Sequence, residues 1–158
     1  MRYYAAPMEG ITGYVYRQVH HRYFPGVDQY FMPFLSPSQF HKFTQKERQE
    51  ILPDHNAGIP VVPQLLTKRS EDFIWAAKEL EQRGFRVVNL NLGCPSGTVV
   101  AKGKGAGFLG NLESLESFLD QIFPEVPLRI SIKTRLGLEE PEEFSPLLEL
   151  FNRYPMEE

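Results

Sequence analysis

The chain has 158 residues, 42% of them apolar and 23% charged, a balance that fits one folded domain and excludes a disordered one. Its net charge of −3 excludes a general electrostatic attraction to nucleic acid, so a polyanion would have to meet a local basic patch. A single cysteine excludes an intrachain disulfide, and no apolar run approaches the roughly 20 residues that cross a bilayer. With no signal-peptide core at the start, these features give the expectation of a reducing, cytoplasmic setting.

Five short apolar runs read as strands: RYYAAPM (residues 2–8), QYFMPFL (29–35), PVVPQLL (60–66), VVNLNLG (87–93) and LRISIKT (128–134). Between the first two, TGYVYRQVHHRYF places Tyr14, Val15, Val19 and Tyr23 at helical spacing, with Thr12 as the expected cap. The polar segment TQKERQEIL follows the second run. SEDFIWAAKELEQRGF, after the third, is the clearest helix: Ser70 is its expected cap, Phe73, Ile74, Ala77 and Leu80 its apolar face, and Gly84 its end. Asn111 is expected to cap NLESLESFLDQIF, whose stripe is Leu112, Leu115, Phe118, Leu119 and Ile122. A last helix is expected in PEEFSPLLELFNRYP.

Strands alternating with helices argue for parallel pairing, because parallel neighbours need long crossovers. The class is α/β, with strands such as VVNLNL covered on both sides. Periodicity alone leaves an open sheet and a closed barrel both possible. Met8, Gln64, Asn91, Cys94 and Lys133 lie within or just past strand ends, and in a barrel those ends converge on the mouth where sites are built.

The GAGFLG segment (105–110) matches a dinucleotide-binding glycine pattern but stands about a dozen residues past its strand, so the context of that motif is missing. His20, His21, His41 and His55 have no metal-ligand spacing, and no metal site is expected. Cys94 has two readings: a small buried hydrophobe, or a thiol presented by the Gly93 and Pro95 turn. A thiol without a basic neighbour stays largely protonated near neutral pH and delivers a proton rather than attacking as thiolate. Lys133, in an otherwise apolar strand, needs an anionic or electron-rich partner or an outward path for its stem, and Arg135 follows two residues later.

Taken in order, APMEGITGYVYR, PQLL, LNLGCP, GKGAGFLG and SIKTRLG make the chain resemble the N-terminal part of the tRNA-dihydrouridine synthases, from Tyr4 to about Leu138. The resemblance implies a partial (β/α)8 TIM barrel of about five β/α units, residues 1–158 being the N-terminal part of a catalytic domain that reduces uridine in tRNA with FMN and NADPH. It implies that Pro7, Met8 and Glu9 run along the flavin, that Gln64 hydrogen-bonds its ring, and that Lys133 faces its N1 and C2 carbonyl side. Asn91 would position the uracil, Cys94 would protonate C5, and Lys102, Lys104 and Arg135 would contact substrate. Small residues would let the glycine loop pack closely over the base.

Many members have a small residue where Glu9 stands and an acidic one where Gly13 stands. A complete barrel takes about 250 residues, so later strands, their phosphate loops and a helical tRNA-binding domain are expected to be absent here. That implies poor flavin binding, two unpaired sheet edges and self-association. Two alternatives stand beside this reading: another flavin barrel such as a dihydroorotate dehydrogenase, and a non-catalytic fragment.

Overall fold

The computed structural model describes all of residues 1–158. Its apolar runs form parallel strands in two ladders: β1 (Tyr4–Ala5), β2 (Gln29–Phe31) and β3 (Val61–Val62), then β4 (Gln64–Leu65), β5 (Val87–Leu92) and β6 (Arg129–Thr134). β3 and β4 are one run of chain parted at Pro63. Proline has no N–H, and Pro33 and Pro63 remove two donors from the pairing between the second and third runs. Pairing resumes beyond them, where Leu35 bridges Leu65 and its N–H reaches the Gln64 carbonyl at 2.8 Å. Five strands therefore stand side by side in chain order, the partial barrel that was expected.

Seven helices cross between or follow the strands: α1 (Tyr14–Tyr23), α2 (Gln45–Glu50), α3 (Pro53–Asn56), α4 (Ser70–Gln82), α5 (Gly97–Val100), α6 (Leu112–Glu125) and α7 (Phe144–Phe151). None is long and apolar enough to cross a membrane. The core lies between the outer face of β4–β6 and helices α4, α6 and α7. Leu65, Val88, Leu90, Leu92 and Ile130 meet Phe73, Ala77 and Leu80 of α4 and Leu115, Phe118, Leu119 and Ile122 of α6. Phe118 takes Phe73 and Phe108 edge-on, at 5.7 and 5.3 Å between ring centres. Each such side chain contributes about 1.5–3 kcal/mol on burial, which makes this half the stable one. Asn111 caps α6 as expected, accepting from the Ser114 N–H at 2.9 Å, and Gly84 ends α4 with φ of +89°.

Several expectations are corrected. Thr12 does not cap α1; its hydroxyl is held by Met8, accepting from that N–H at 2.7 Å, and Gly13 takes the cap position. Ser70 is the first residue of α4 rather than its cap, and its hydroxyl donates to Gln121 instead. The sheet is not left with two bare edges. The tail runs along β6, with Glu157 N–H on the Ile130 carbonyl and Ile132 N–H on the Glu158 carbonyl, while the Tyr4 hydroxyl of β1 donates to the Glu158 carboxylate. One residue thus touches both edges, so the sheet curls into an arc.

The largest correction concerns α1. Val15, Val19 and Tyr23 face solvent, 57%, 52% and 63% exposed, and the fully buried residue of the helix is Arg17. Its guanidinium donates to the Glu50 carboxylate at 2.9 Å, the Thr12 carbonyl at 3.0 Å and the Asn56 side-chain oxygen at 3.0 Å. Asn56 in turn donates to the Glu50 and Leu52 carbonyls, so this polar knot joins α1, α2 and α3. Burial pushes the Arg17 guanidinium below its ordinary value, and Glu50 opposes that shift.

Removing one partner of a buried pair leaves a charge with nothing to satisfy it. Arg17→Met is expected to lower stability by about 3–5 kcal/mol in urea denaturation, and adding Glu50→Leu to recover most of that loss. A single-variant loss below about 1 kcal/mol, the size of an exposed pair, would contradict this role.

Candidate functional site

Side chains alternate across a strand, and the register of β4–β6 lines up the inward ones. Gln64 pairs with Asn89, Asn89 with Ser131, and Asn91 with Lys133. Four of these five join in a continuous relay. Asn89 donates to Ser131 Oγ at 2.8 Å, Gln64 donates to Asn89 Oδ1 at 2.7 Å, and Asn91 donates to Gln64 Oε1 at 2.7 Å. Asn91 Oδ1 then accepts the N–H groups of Gly93 and Cys94 at 3.1 and 3.0 Å, which fixes the turn carrying the thiol. Gln64, Asn89 and Asn91 are 0%, 2% and 6% exposed, so their amides are satisfied by one another rather than by water. Gln64 keeps a second N–H and a second lone pair beyond these bonds.

On the inner face of the arc lies a cavity of about 280 Å³, bounded by Tyr4, Ala6, Pro7 and Phe31 on the β1–β2 side, by Asn89, Ser131, Ile132 and Lys133 of the last two strands and by Glu158 of the tail; Gln64, Asn91 and Cys94 do not line it. One side is apolar and aromatic, the other offers amide, hydroxyl, ammonium and carboxylate groups. Such a pairing fits a planar ring with hydrogen-bonding edges. Lys133 is exposed at the mouth end of β6, one register step from Ser131 and opposite Asn91.

Not all expected residues gather here. Met8 is exposed just past β1, and Glu9 opens onto a different cleft of about 410 Å³ with Tyr14, Tyr16, Phe34 and Glu50. Arg135 lies beyond the end of β6, where its charge helps hold the Glu143 carboxyl below its ordinary range; the larger causes there are the Glu140 and Leu138 N–H groups. Lys102 is exposed, whereas Lys104 is half-buried with Nζ 3.3 Å from Ser36 Oγ.

The glycine loop behaves differently from the expectation of close packing over a base: its small residues pack on the protein itself. Ala106 N–H donates to the Cys94 carbonyl at 3.0 Å. A Cβ on Gly105, whose φ is +56°, would lie 2.9 Å from that carbonyl, and one on Gly107 would lie 2.6 Å from the Val100 carbonyl. Ala106, Phe108 and Leu109 are buried, so the loop is pinned to the core from behind. Sequence reasoning missed Asn89 and Ser131. The alternation of Asn89 with Asn91 in VVNLNL was the available signal, since two amides at period two share one face.

A family model described as dihydrouridine synthase (Dus) matches residues 4–153. Among curated proteins, a probable tRNA-dihydrouridine synthase 1 of Synechocystis sp. is 28% identical over 137 residues, covering 87% of this chain and 38% of the relative. A probable tRNA-dihydrouridine synthase of Staphylococcus aureus is 30% identical over 144 residues, covering 90% and 43%. The tRNA-dihydrouridine synthase B of Pasteurella multocida is 26% identical over 136 residues, covering 86% and 40%. The chain thus spans about two fifths of the length of the curated relatives it matches. Because the family match runs from β1 through α7 and takes in every strand that builds the inner face, this chain belongs to the dihydrouridine synthase family.

Proposed function

We propose that the chain is the N-terminal part of the catalytic barrel of a cytoplasmic enzyme that reduces uridine in tRNA to 5,6-dihydrouridine, with FMN as resident cofactor and NADPH as reductant. The observation that carries this reading is the relay from Ser131 and Asn89, which line the cavity of about 280 Å³, through Gln64 to Asn91, whose side-chain oxygen holds the turn of Cys94. Family membership supplies the reaction class.

Pro7, Gln64 and Lys133 would hold the flavin ring, with Met8 and Glu9 at its approach from the β1 end. Flavin, when bound, supplies the hydride that goes to uracil C6. Lys133, exposed at the end of β6, would place a positive charge where a reduced ring gathers negative charge. Asn91 spends its side-chain oxygen on the Cys94 turn and one amide hydrogen on Gln64, leaving the other hydrogen for a uracil carbonyl. Cys94 would deliver the proton to C5. A uracil within folded tRNA reaches such a pocket only by leaving its stack. Lys102, Lys104 and Arg135 would contact the RNA.

Self-association is the second part of the proposal. Ile11, Val15, Val19, Tyr23 and Phe24 leave a continuous apolar strip on α1 and its flanks, all more than half exposed. A second copy laid against that strip would cover it.

The reaction is tested by supplying the chain with FMN, NADPH and tRNA that lacks dihydrouridine. Given the poor flavin binding expected of this span, product is expected only with FMN in large excess, and Cys94→Ala is expected to slow its formation by about 100-fold or more without changing flavin binding. Equal product from both proteins would remove Cys94 from the chemistry. Reduction of free orotate instead of tRNA would favour a dihydroorotate dehydrogenase, and no product from either substrate would favour a non-catalytic fragment. Light scattering is expected to give a mass of at least two chains, falling to one in Val15→Lys/Val19→Glu with an unchanged circular dichroism spectrum. A monomeric parent chain would refute the association.

A further inference from the structure

Three lysines from two separate loops converge at the mouth. Lys68 follows β4, and Lys102 and Lys104 follow α5. The Lys68 stem lies along Gly103: a Cβ built on Gly103 would stand 3.2 Å from Lys68 Nζ, and Gly103 has a φ of +64°, so glycine keeps that approach open. The same loop touches the thiol turn two residues later, where a Cβ on Gly105 would lie 3.1 Å from Cys94 Cβ. The Lys68 ammonium therefore stands against the loop that carries Lys102 and Lys104, two residues before that loop meets Cys94.

None of the three forms an ion pair, although the chain has more acidic than basic residues. The nearest carboxylate of consequence is the buried Asp72, which is already shared with Arg69 at 3.5 Å and His41 at 3.8 Å. Burial first, and then the like charges of Lys102 and Lys68, push the Lys104 ammonium below its ordinary range, against the pull of Asp72. Like charges held together without counter-ions are relieved by an anion placed among them.

We propose that Lys68, Lys102 and Lys104 form one phosphate-binding cluster that takes a backbone phosphate of the RNA strand next to the uridine presented to Cys94, with Lys68 as the member that sequence reading passes over. Lys104, anchored on Ser36, is the fixed point, with Lys68 lying against Gly103 and Lys102, exposed beside that glycine in the chain, completing the cluster. The inference rests on the uridine-reducing reading for the identity of its anion, while the cluster itself rests on the loop geometry.

The test is fluorescence anisotropy of a labelled oligouridylate of about eight nucleotides, a length within the usual single-strand site size, titrated with the full chain across a salt series. Three phosphate-neutralising lysines on a single strand give a slope of log affinity against log salt of about −2, and Lys68→Gln or Lys102→Gln is expected to reduce its magnitude by about 0.7. Lys78→Gln, on α4 and paired with Glu125 at 3.8 Å, is the control expected to leave the slope unchanged. An unchanged slope in Lys68→Gln, an equal loss in Lys78→Gln, or no salt-dependent binding by the parent would overturn the cluster. The two readings fail separately. A slope that drops in Lys68→Gln in a chain that neither binds flavin nor reduces uridine keeps the cluster and removes the enzyme; uridine reduction with an unaltered slope does the reverse.

Discussion

The hydrogen bond from Gln64 to Asn89 is the contact on which the inner face depends. It joins β4 to β5 across the barrel interior, and both amides are buried, so its loss would leave two polar groups unsatisfied at about 1–3 kcal/mol each. A slip of one residue in the pairing would turn Gln64 and Asn89 outward into the apolar core, and the cost of burying them there enforces the register. The next bond of the relay, from Asn89 to Ser131, joins β5 to β6 in the register that sets Asn91 opposite Lys133, and the Asn91 oxygen holds the turn that presents Cys94. A structural contact inside the sheet thereby sets the position of a chemical group at its mouth.

The two halves of the molecule are stabilised by different physics. Around β4–β6, apolar side chains from α4, α6 and α7 close-pack on the outer face of the sheet. Around β1 and β2, the helices are joined by a buried charge knot at Arg17, and α1 presents its apolar side to water. Ion pairs buried this way hold a specific geometry more than they add net stability. The half that carries the amide relay and the thiol is thus rigid, and the half that supplies Tyr4, Pro7 and Phe31 to the cavity depends on a geometry set by charge.

Much of this was legible in the sequence because hydrophobic periodicity reports burial. All five strands, the face of α4 at Phe73, Ala77 and Leu80, and the stripe of α6 follow from it, except at Leu112, which begins α6 and is 38% exposed. It failed on α1 for the same reason: a scale that treats arginine as exterior places Val15 and Val19 inside, whereas the buried position between α1, α2 and α3 is taken by a guanidinium bonded to Thr12, Glu50 and Asn56. Caps failed at Thr12 and Ser70 because a hydroxyl near a helix start bonds to whichever group folding brings closest, here Met8 and Gln121. Within the site, Gln64, Asn91 and Lys133 were visible as polar residues in apolar strands. Lys68 was not, since only the folded loop brings it to Gly103. The glycines were read as room for a ligand, and in the fold Gly105 and Gly107 are room for the protein's own backbone.

On the proposed reading, the polar inner face of β4–β6 is one half of a flavin site. The measurement that tests it most directly is the quenching of FMN fluorescence by the chain, compared with Lys133→Met, a change at an exposed position that leaves the core intact. Weak but saturable quenching in the parent, lost in Lys133→Met, is the predicted result. No saturable quenching, or the same curve for both proteins, would contradict it.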